Sequence, residues 1–256
     1  MIDARAVVSD GARLHRDVSV GPYSIIGPDV EIGPGTRIES HVVLKGPCVI
    51  GEENHIFQFA SIGDDPQDKK YAGELTELVI GDRNTIREYC TINRGTIQGG
   101  GKTRVGHDNW IMAYVHIAHD CVIGNQTVLA NNTTLAGHVQ VGDWAVLGGF
   151  TGVHQYCRIG AHALTGIFTA VTKDIPAYVT AAGRPAVPRG INAEGLRRRG
   201  FGATRISRIR EAYRTIYRQG LKLEEALAIL RERAESHEDI RVLLDSVSES
   251  SRGLVR

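Results

Sequence analysis

Four histidines fall between residues 116 and 154 of this 256-residue chain, at His116, His119, His138 and His154. Imidazole takes and releases protons near neutral pH and is also a common zinc ligand, so such a group is the first place to look for chemistry. Asp120 follows His119 directly, and His138 stands one step beyond Gly137. Two chemistries could use them. Zinc shared between copies of the chain would draw on His116 and His119, with Asp120 as an outer partner. Alternatively, one imidazole serves as a base that removes a proton from a hydroxyl attacking a thioester. A lone histidine is more often structural, but several on one edge of an apolar scaffold argue for a site.

Two other stretches carry chemistry-bearing side chains. Residues 64–77, with Gln67, Asp68, Lys69, Lys70 and Tyr71, are polar, and residues 96–103 include three successive glycines, Gly99 to Gly101. Loops ejected from a rigid scaffold are where binding residues tend to sit. Between Arg184 and Arg218 lie ten arginines against two acids, Glu194 and Glu211. A one-signed run suggests a phosphate-bearing or acidic partner. No aromatic interleaving or readout helix accompanies it, which argues against nucleic acid.

The elements that must position these groups are announced by a strict period of six. Aliphatics recur at Ile2, Val8, Leu14, Val20, Ile26, Ile32, Ile38, Leu44, Ile50, Ile56 and Ile62, and return in phase at Ile80, Ile86 and Ile92. After a slip of one they run from Val105 through Ile111, Ile117 and Ile123 to Ile159. Neither a helix nor simple strand alternation produces a six. Hexapeptide repeats are the signature of a parallel β-helix, in which short strands stack about 4.8 Å apart and bury their aliphatics only against neighbours. The residue two places earlier shares the inward face, as with Val18, Ser24, Thr36, Val42 and Ala60. Asp120 and His138, separated by three hexads, should therefore stack in adjacent coils on one edge with His119 and Gly137.

Pro176, Pro185 and Pro188 should halt regular strands, placing a β-helix at 1–185 and a helical domain at 186–256. There Ile206, Ile209, Ala212, Tyr213 and Ile216 follow helical spacing, Gly220 is a stop, and another helix is expected over 238–248. Net charge is +1, so the molecule is no polyelectrolyte. No apolar run is long enough for a membrane span and no leader is evident. All four cysteines, Cys48, Cys90, Cys121 and Cys157, fall two places before a repeat aliphatic, where free cysteine behaves as a small core residue. Reduced thiols point to the cytoplasm.

Several blocks together resemble the acyl-carrier-protein:UDP-N-acetylglucosamine O-acyltransferases that begin lipid A biosynthesis. They are Gln67 to Glu74, His116-Ile117-Ala118-His119-Asp120-Cys121, Leu135 to His138, Val153 to Cys157, Asn192 to Phe201, and the ending Ser251 to Arg256. The resemblance runs the full length of the chain, in order. It implies a left-handed β-helix, a homotrimer with sites in clefts between subunits, and transfer of an (R)-3-hydroxyacyl chain to the sugar 3-hydroxyl. The acyl group would arrive on the phosphopantetheine of acyl carrier protein, with no metal or other cofactor. By motif, His119 would be the general base, Asp120 its orienting partner and the Gly137 N–H an oxyanion donor. Gln67, Asp68, Lys70, His116, His138 and Gln155 match positions that hold the sugar or hydroxyacyl group. Asn192, Glu194, Arg198 and Arg199 match nucleotide and carrier contacts, and His154 a position near the nucleotide.

Two positions depart from the family pattern. Asn93 stands where histidine is frequent, which removes any acid–base role there and bears on whether the acceptor is a hydroxyl or a 3-amino group. Ile167 stands where a small residue admits longer chains, so a buried branched side chain should favour a shorter hydroxyacyl group. The rival readings are the sister N-acyltransferase of the same pathway, a zinc hydratase like the gamma-class carbonic anhydrases, and a binding-only scaffold.

Overall fold

The computed structural model describes the whole chain, residues 1–256. The sixth-position aliphatics fill the interior: Ile26, Leu44, Ile50, Ile56, Ile62, Ile80, Ile86 and Ile92 are at most 1% exposed. Their companions two places earlier, including Ser24, Thr36, Val42 and all four cysteines, are buried as well. Branched side chains of this kind fit short extended segments, and alternation sends the intervening residues outward. At the first coil the pattern weakens, with Ile2 and Val8 49% and 36% exposed. Those residues have a neighbouring coil on one side only, and a coil buries its aliphatics only between neighbours.

The strands form three sheets: nine strands from Val7–Val8 to Ala170–Val171 (face 1), eight from Arg13–Leu14 to Arg158–Ile159 (face 2), and ten from Ser19–Val20 to Val187–Ile191 (face 3). Pairing is parallel between successive coils, as in Ile62 with Leu44 and Ile117 with Leu135. The result is the left-handed parallel β-helix that the repeat implies. Most corners place a residue at positive φ, usually a position for Gly, Asn or Asp. Here bulky rings also adopt it, because they stack along the prism. Between faces 3 and 1, Tyr23, His41, Phe59, Tyr89 and Tyr114 lie with centroids 4.8–5.2 Å apart.

Both excursions leave from the corner between faces 1 and 2. The first runs between the strands Ser61–Asp64 and Glu77–Ile80, and the second between Thr91–Asn93 and Lys102–Val105. The second is shorter than the sequence suggests, because Lys102 and Thr103 already pair with Glu77 and Leu78. Neither disturbs the stacking: Leu78 still meets Cys48 and Ile80 meets Ile50.

The strand region runs past residue 185. Val187–Ile191 returns antiparallel to Val179–Ala182, so Pro188 sits in an edge strand, where a missing N–H is tolerated, instead of ending one. Four helices follow: α1 (Ala193–Arg198), α2 (Ala203–Tyr217), α3 (Leu223–Ala234) and α4 (Glu238–Ser248). Tyr213 of α2 and Val255 of the tail close the end of the prism core. The tail is held by Asp174, 1% exposed, whose carboxylate accepts from Arg158 N, Ser250 Oγ, Ser251 N and Arg252 N at 2.7–3.1 Å.

Candidate active site

The hexad ending at Ile117 delivers His119 and Asp120 to the corner between faces 1 and 2, with Asp120 at φ 61°. The Asp120 side chain is 1% exposed. Its carboxylate accepts from His119 Nδ1 at 2.8 Å, Thr96 N at 2.8 Å and Thr96 Oγ1 at 2.6 Å, while its own N–H donates to Thr103 Oγ1 at 2.8 Å. A buried carboxylate needs such donors. Because an ionised carboxylate only accepts, it fixes the proton on His119 Nδ1 and leaves Nε2 bare, able to take a proton.

Gly137 makes room for that ring. A Cβ there would lie 2.5 Å from His119 Cε1 and 2.7 Å from Nε2. The Gly137 N–H has no protein acceptor. Gly99 does the same for the carboxylate, since a Cβ would fall 2.0 Å from Asp120 Cγ. One coil on, the His138 ring stands edge-on to His119, centroids 5.2 Å apart, and stacks on Tyr156 at 4.3 Å. Burial lowers the pKa of His138; the carboxylates of Asp120 and Asp68 oppose this, and the charge His119 carries when protonated adds to it. His116, on face 1, meets Thr91 Oγ1 through Nδ1 at 2.7 Å, and burial lowers its pKa, as does the charge of His119 when that ring is protonated. Both rings are therefore biased towards the neutral form.

The first excursion lies beside this group, close enough for the Asp68 charge to act on His138. Asp68 Oδ1 accepts from Lys70 N at 3.0 Å, a local turn that fixes the backbone between them. Gln67 and Lys70 are exposed, and Lys70 has no ion pair. His154 and Gln155, also exposed, lie on the next coil; His154 Nδ1 is 3.1 Å from Gln155 O and 3.3 Å from Arg252 Nη2.

The chain as a whole is similar to proteins already known. The acyl-[acyl-carrier-protein]–UDP-N-acetylglucosamine O-acyltransferase of Thiobacillus denitrificans is 58% identical over 255 residues, covering 100% of this chain and 99% of the relative. The enzyme of that name from Stutzerimonas stutzeri is 56% identical with the same coverage. This chain belongs to that O-acyltransferase family. The solved UDP-N-acetylglucosamine acyltransferase of Francisella novicida matches with TM-score 0.98 and 44% identity, over 100% of this chain and 94% of that one. The O-acyltransferase of Moraxella catarrhalis matches with TM-score 0.98 and 47% identity, over 100% and 99%. The family model for domain 2 of UDP-N-acetylglucosamine O-acyltransferase covers residues 174–255, and bacterial transferase hexapeptide repeats match at 11–46 and 102–137. The second of these repeat segments contains His116, His119, Asp120 and Gly137.

Not all the residues that the O-acyltransferase resemblance singles out converge in one chain. Asn192, Glu194, Arg198 and Arg199 sit by the corner between faces 2 and 3. Asn192 caps α1 through Gly195 N at 3.1 Å and donates to His162 O at 3.0 Å. Glu194 pairs with Arg197 and Arg198. The Arg199 guanidinium lies 5.1 Å over the Trp144 ring and 3.2 Å from His162 Nδ1. Burial and the Arg199 charge push His162 down to about 4. Ile167 is at the third corner, between faces 3 and 1, and is 66% exposed instead of buried. As a turn residue beside Phe168, it faces away from the interior.

Other expectations change in detail. Asn93 is buried and spends its Nδ2 on Asp65 O at 2.8 Å, so it supports the loop backbone. The arginine run is partly consumed within the chain: Arg205 and Arg208 converge on Asp239, 3% exposed. Arg189, Arg210, Arg214 and Arg218 have no ion pair. Sequence reasoning missed Thr96, Gly99 and Thr103, which seat the Asp120 carboxylate, and Thr91, which orients His116. The one available signal was the polar, glycine-rich excursion located 24 to 17 residues before Asp120, roughly one coil away.

Proposed function

We infer that this chain transfers an (R)-3-hydroxyacyl group from the phosphopantetheine thioester of acyl carrier protein to the 3-hydroxyl of UDP-N-acetylglucosamine, opening lipid A biosynthesis. Full-length identity to enzymes of that name supports the reading. The observation that carries the mechanism is the His119–Asp120 pair beside the free N–H of Gly137.

The sugar hydroxyl attacks the thioester carbonyl while His119 Nε2 takes its proton. Asp120 stabilises the imidazolium through Nδ1, and the Gly137 N–H stabilises the oxyanion. Collapse expels the carrier thiolate, which takes the proton back from His119. Gln67, Asp68, Lys70, His116, His138 and Gln155 hold the sugar and hydroxyacyl groups, and His154 lies near the nucleotide. Asn192, Glu194, Arg198 and Arg199 lie at a different corner of the same chain, so they would serve the histidine corner of a neighbouring copy in a cytoplasmic homotrimer, with Ile167 bordering the acyl cleft.

The donor atoms of His119, Asp120 and His138 lie within 4.8 Å of one another, which keeps a zinc reading in view. Against it, the Asp120 oxygens already take the His119 N–H and two Thr96 donors, an arrangement that orients an imidazole. The test is transfer to UDP-N-acetylglucosamine from 3-hydroxyacyl carrier protein. His119→Ala should lose a factor of about 10²–10⁴ in turnover, and dialysis against EDTA should change nothing. Full activity in the variant, or loss on chelation, would refute this assignment.

A further inference from the structure

Arg94 is 6% exposed, at the end of the strand Thr91–Asn93, beneath the first excursion. Its Nη1 donates to Gly63 O at 2.6 Å, and its Nη2 pairs with Asp65 Oδ1 and donates to Tyr71 Oη at 3.1 Å. Asp65 and Tyr71 bracket the segment that carries Gln67, Asp68 and Lys70. The neighbouring backbone joins in: Arg94 N–H donates to Asp64 O at 3.0 Å, and Asn93 Nδ2 to Asp65 O at 2.8 Å. Tyr71 Oη also donates to Glu74 O at 3.0 Å. Both ends of a short polar loop are thus tied to one buried guanidinium.

We propose that Arg94 is a positioning residue: it clamps the loop at Asp65 and Tyr71 so that Asp68 and Lys70 are presented to the substrate in a fixed geometry. The planar, five-donor fork of arginine suits this, because one rigid group reaches three acceptors; the single ammonium of lysine cannot bridge them. The buried cation has its counter-charges in the loop it holds, since Asp65 pairs with it directly. Burial pushes the Asp64 carboxyl up, but the Lys45 and Asp65 N–H bonds and the charges of Lys45 and Arg94 outweigh this and bring it below its ordinary value. Without the guanidinium, the segment would keep the Asn93 and Arg94 N–H ties at its first end and only local turns at Asp68 and Glu74 beyond them, and such segments open locally at small cost. The inference rests on the reading that Asp68 and Lys70 contact the sugar nucleotide.

Two variants of the full-length enzyme test it. Tyr71→Phe releases one end of the loop and leaves the guanidinium in place. Arg94→Lys keeps the charge and loses the fork. Limited tryptic cleavage after Lys69 and Lys70 reads the loop directly. Cleavage should speed up by about tenfold or more in both variants, while the KM for UDP-N-acetylglucosamine rises about tenfold and kcat stays within about threefold. A purely structural role would lower the melting temperature without this KM-selective change. Unchanged cleavage in folded Tyr71→Phe and Arg94→Lys overturns the clamp. Faster cleavage with unchanged KM overturns the positioning role; Asp68→Asn, which leaves the clamp intact, then shows whether the loop's substrate contact has failed as well.

Discussion

The imidazole of His119 is useful because three neighbours constrain it: a carboxylate fixes its proton, a glycine admits its ring and a buried threonine fixes the carboxylate. Gly137 gives the most direct test. Alanine there would place a methyl 2.5 Å from Cε1, and the ring must swing away. Because misplacing a catalytic group by about 1 Å costs on the order of 10² in rate, Gly137→Ala should lose at least that in kcat at nearly unchanged melting temperature. Equal turnover would mean that the ring does not occupy this position during catalysis. A second residue-scale expectation concerns His162. Its folded pKa of about 4 lies below the ordinary 6.5, so the unfolded chain binds the extra proton in between. The resulting stability is complete above about pH 6.5 and is lost as pH falls towards 4. After discounting for a partly open ring, the loss is about 1–2 kcal/mol. Thermal melts from pH 7 to 4 should show it, with a flatter profile in His162→Gln.

At the level of elements, the six-residue row reveals which side chains line the interior because inward burial is the strongest constraint on a short strand. Ile50 and Ile80 find each other across an excursion, and the four cysteines sit where their offset puts them. Burial pushes Cys48, Cys90 and Cys121 up to about 12, so these thiols stay protonated and are not nucleophiles. The stacking of Asp120 under His138 is likewise readable from their spacing. Corner chemistry was less visible. Thr96 caps a single 3-10 turn that ends at Gly99, outside the six-residue row, so nothing in the pattern aims them at Asp120. Pro188 looks like a stop by composition, yet an antiparallel return needs no N–H on its outer side. Ile167 shows the limit from the other direction: its type suggests burial, and its turn position exposes it. Under the proposed function it borders a cleft between copies, where it should still restrict acyl length. Assays with carriers of graded chain length should show Ile167→Gly shifting preference towards longer chains. Identical selectivity in both proteins would remove Ile167 from the cleft.

For the molecule as a whole, the telling fact is that the candidate groups occupy all three corners of one prism. A histidine corner and an arginine corner on different edges of the same chain can meet only if copies associate. Inactive His119→Ala chains mixed with inactive Arg198→Ala chains, unfolded and refolded together, should therefore recover activity. Random assembly into cyclic trimers gives about a quarter of wild-type activity, because a competent site needs one variant on each side. No recovery would mean that the two corners do not build one shared site. Sequence spacing could not reveal this division, since the period reports how coils stack and says nothing about which edges of separate copies face each other.

The first excursion departs and returns without altering how Leu78 and Ile80 meet the coil beneath. The prism therefore treats that detour as an appendage whose contour length is free to drift. Gly73, at φ 91° with open space around it, sits outside the segment held by Arg94. Closing a longer detour costs entropy only logarithmically. Lineages could thus lengthen or trim this lip, and so retune what the enzyme admits, without renegotiating the stability of the barrel-like stem from which it hangs.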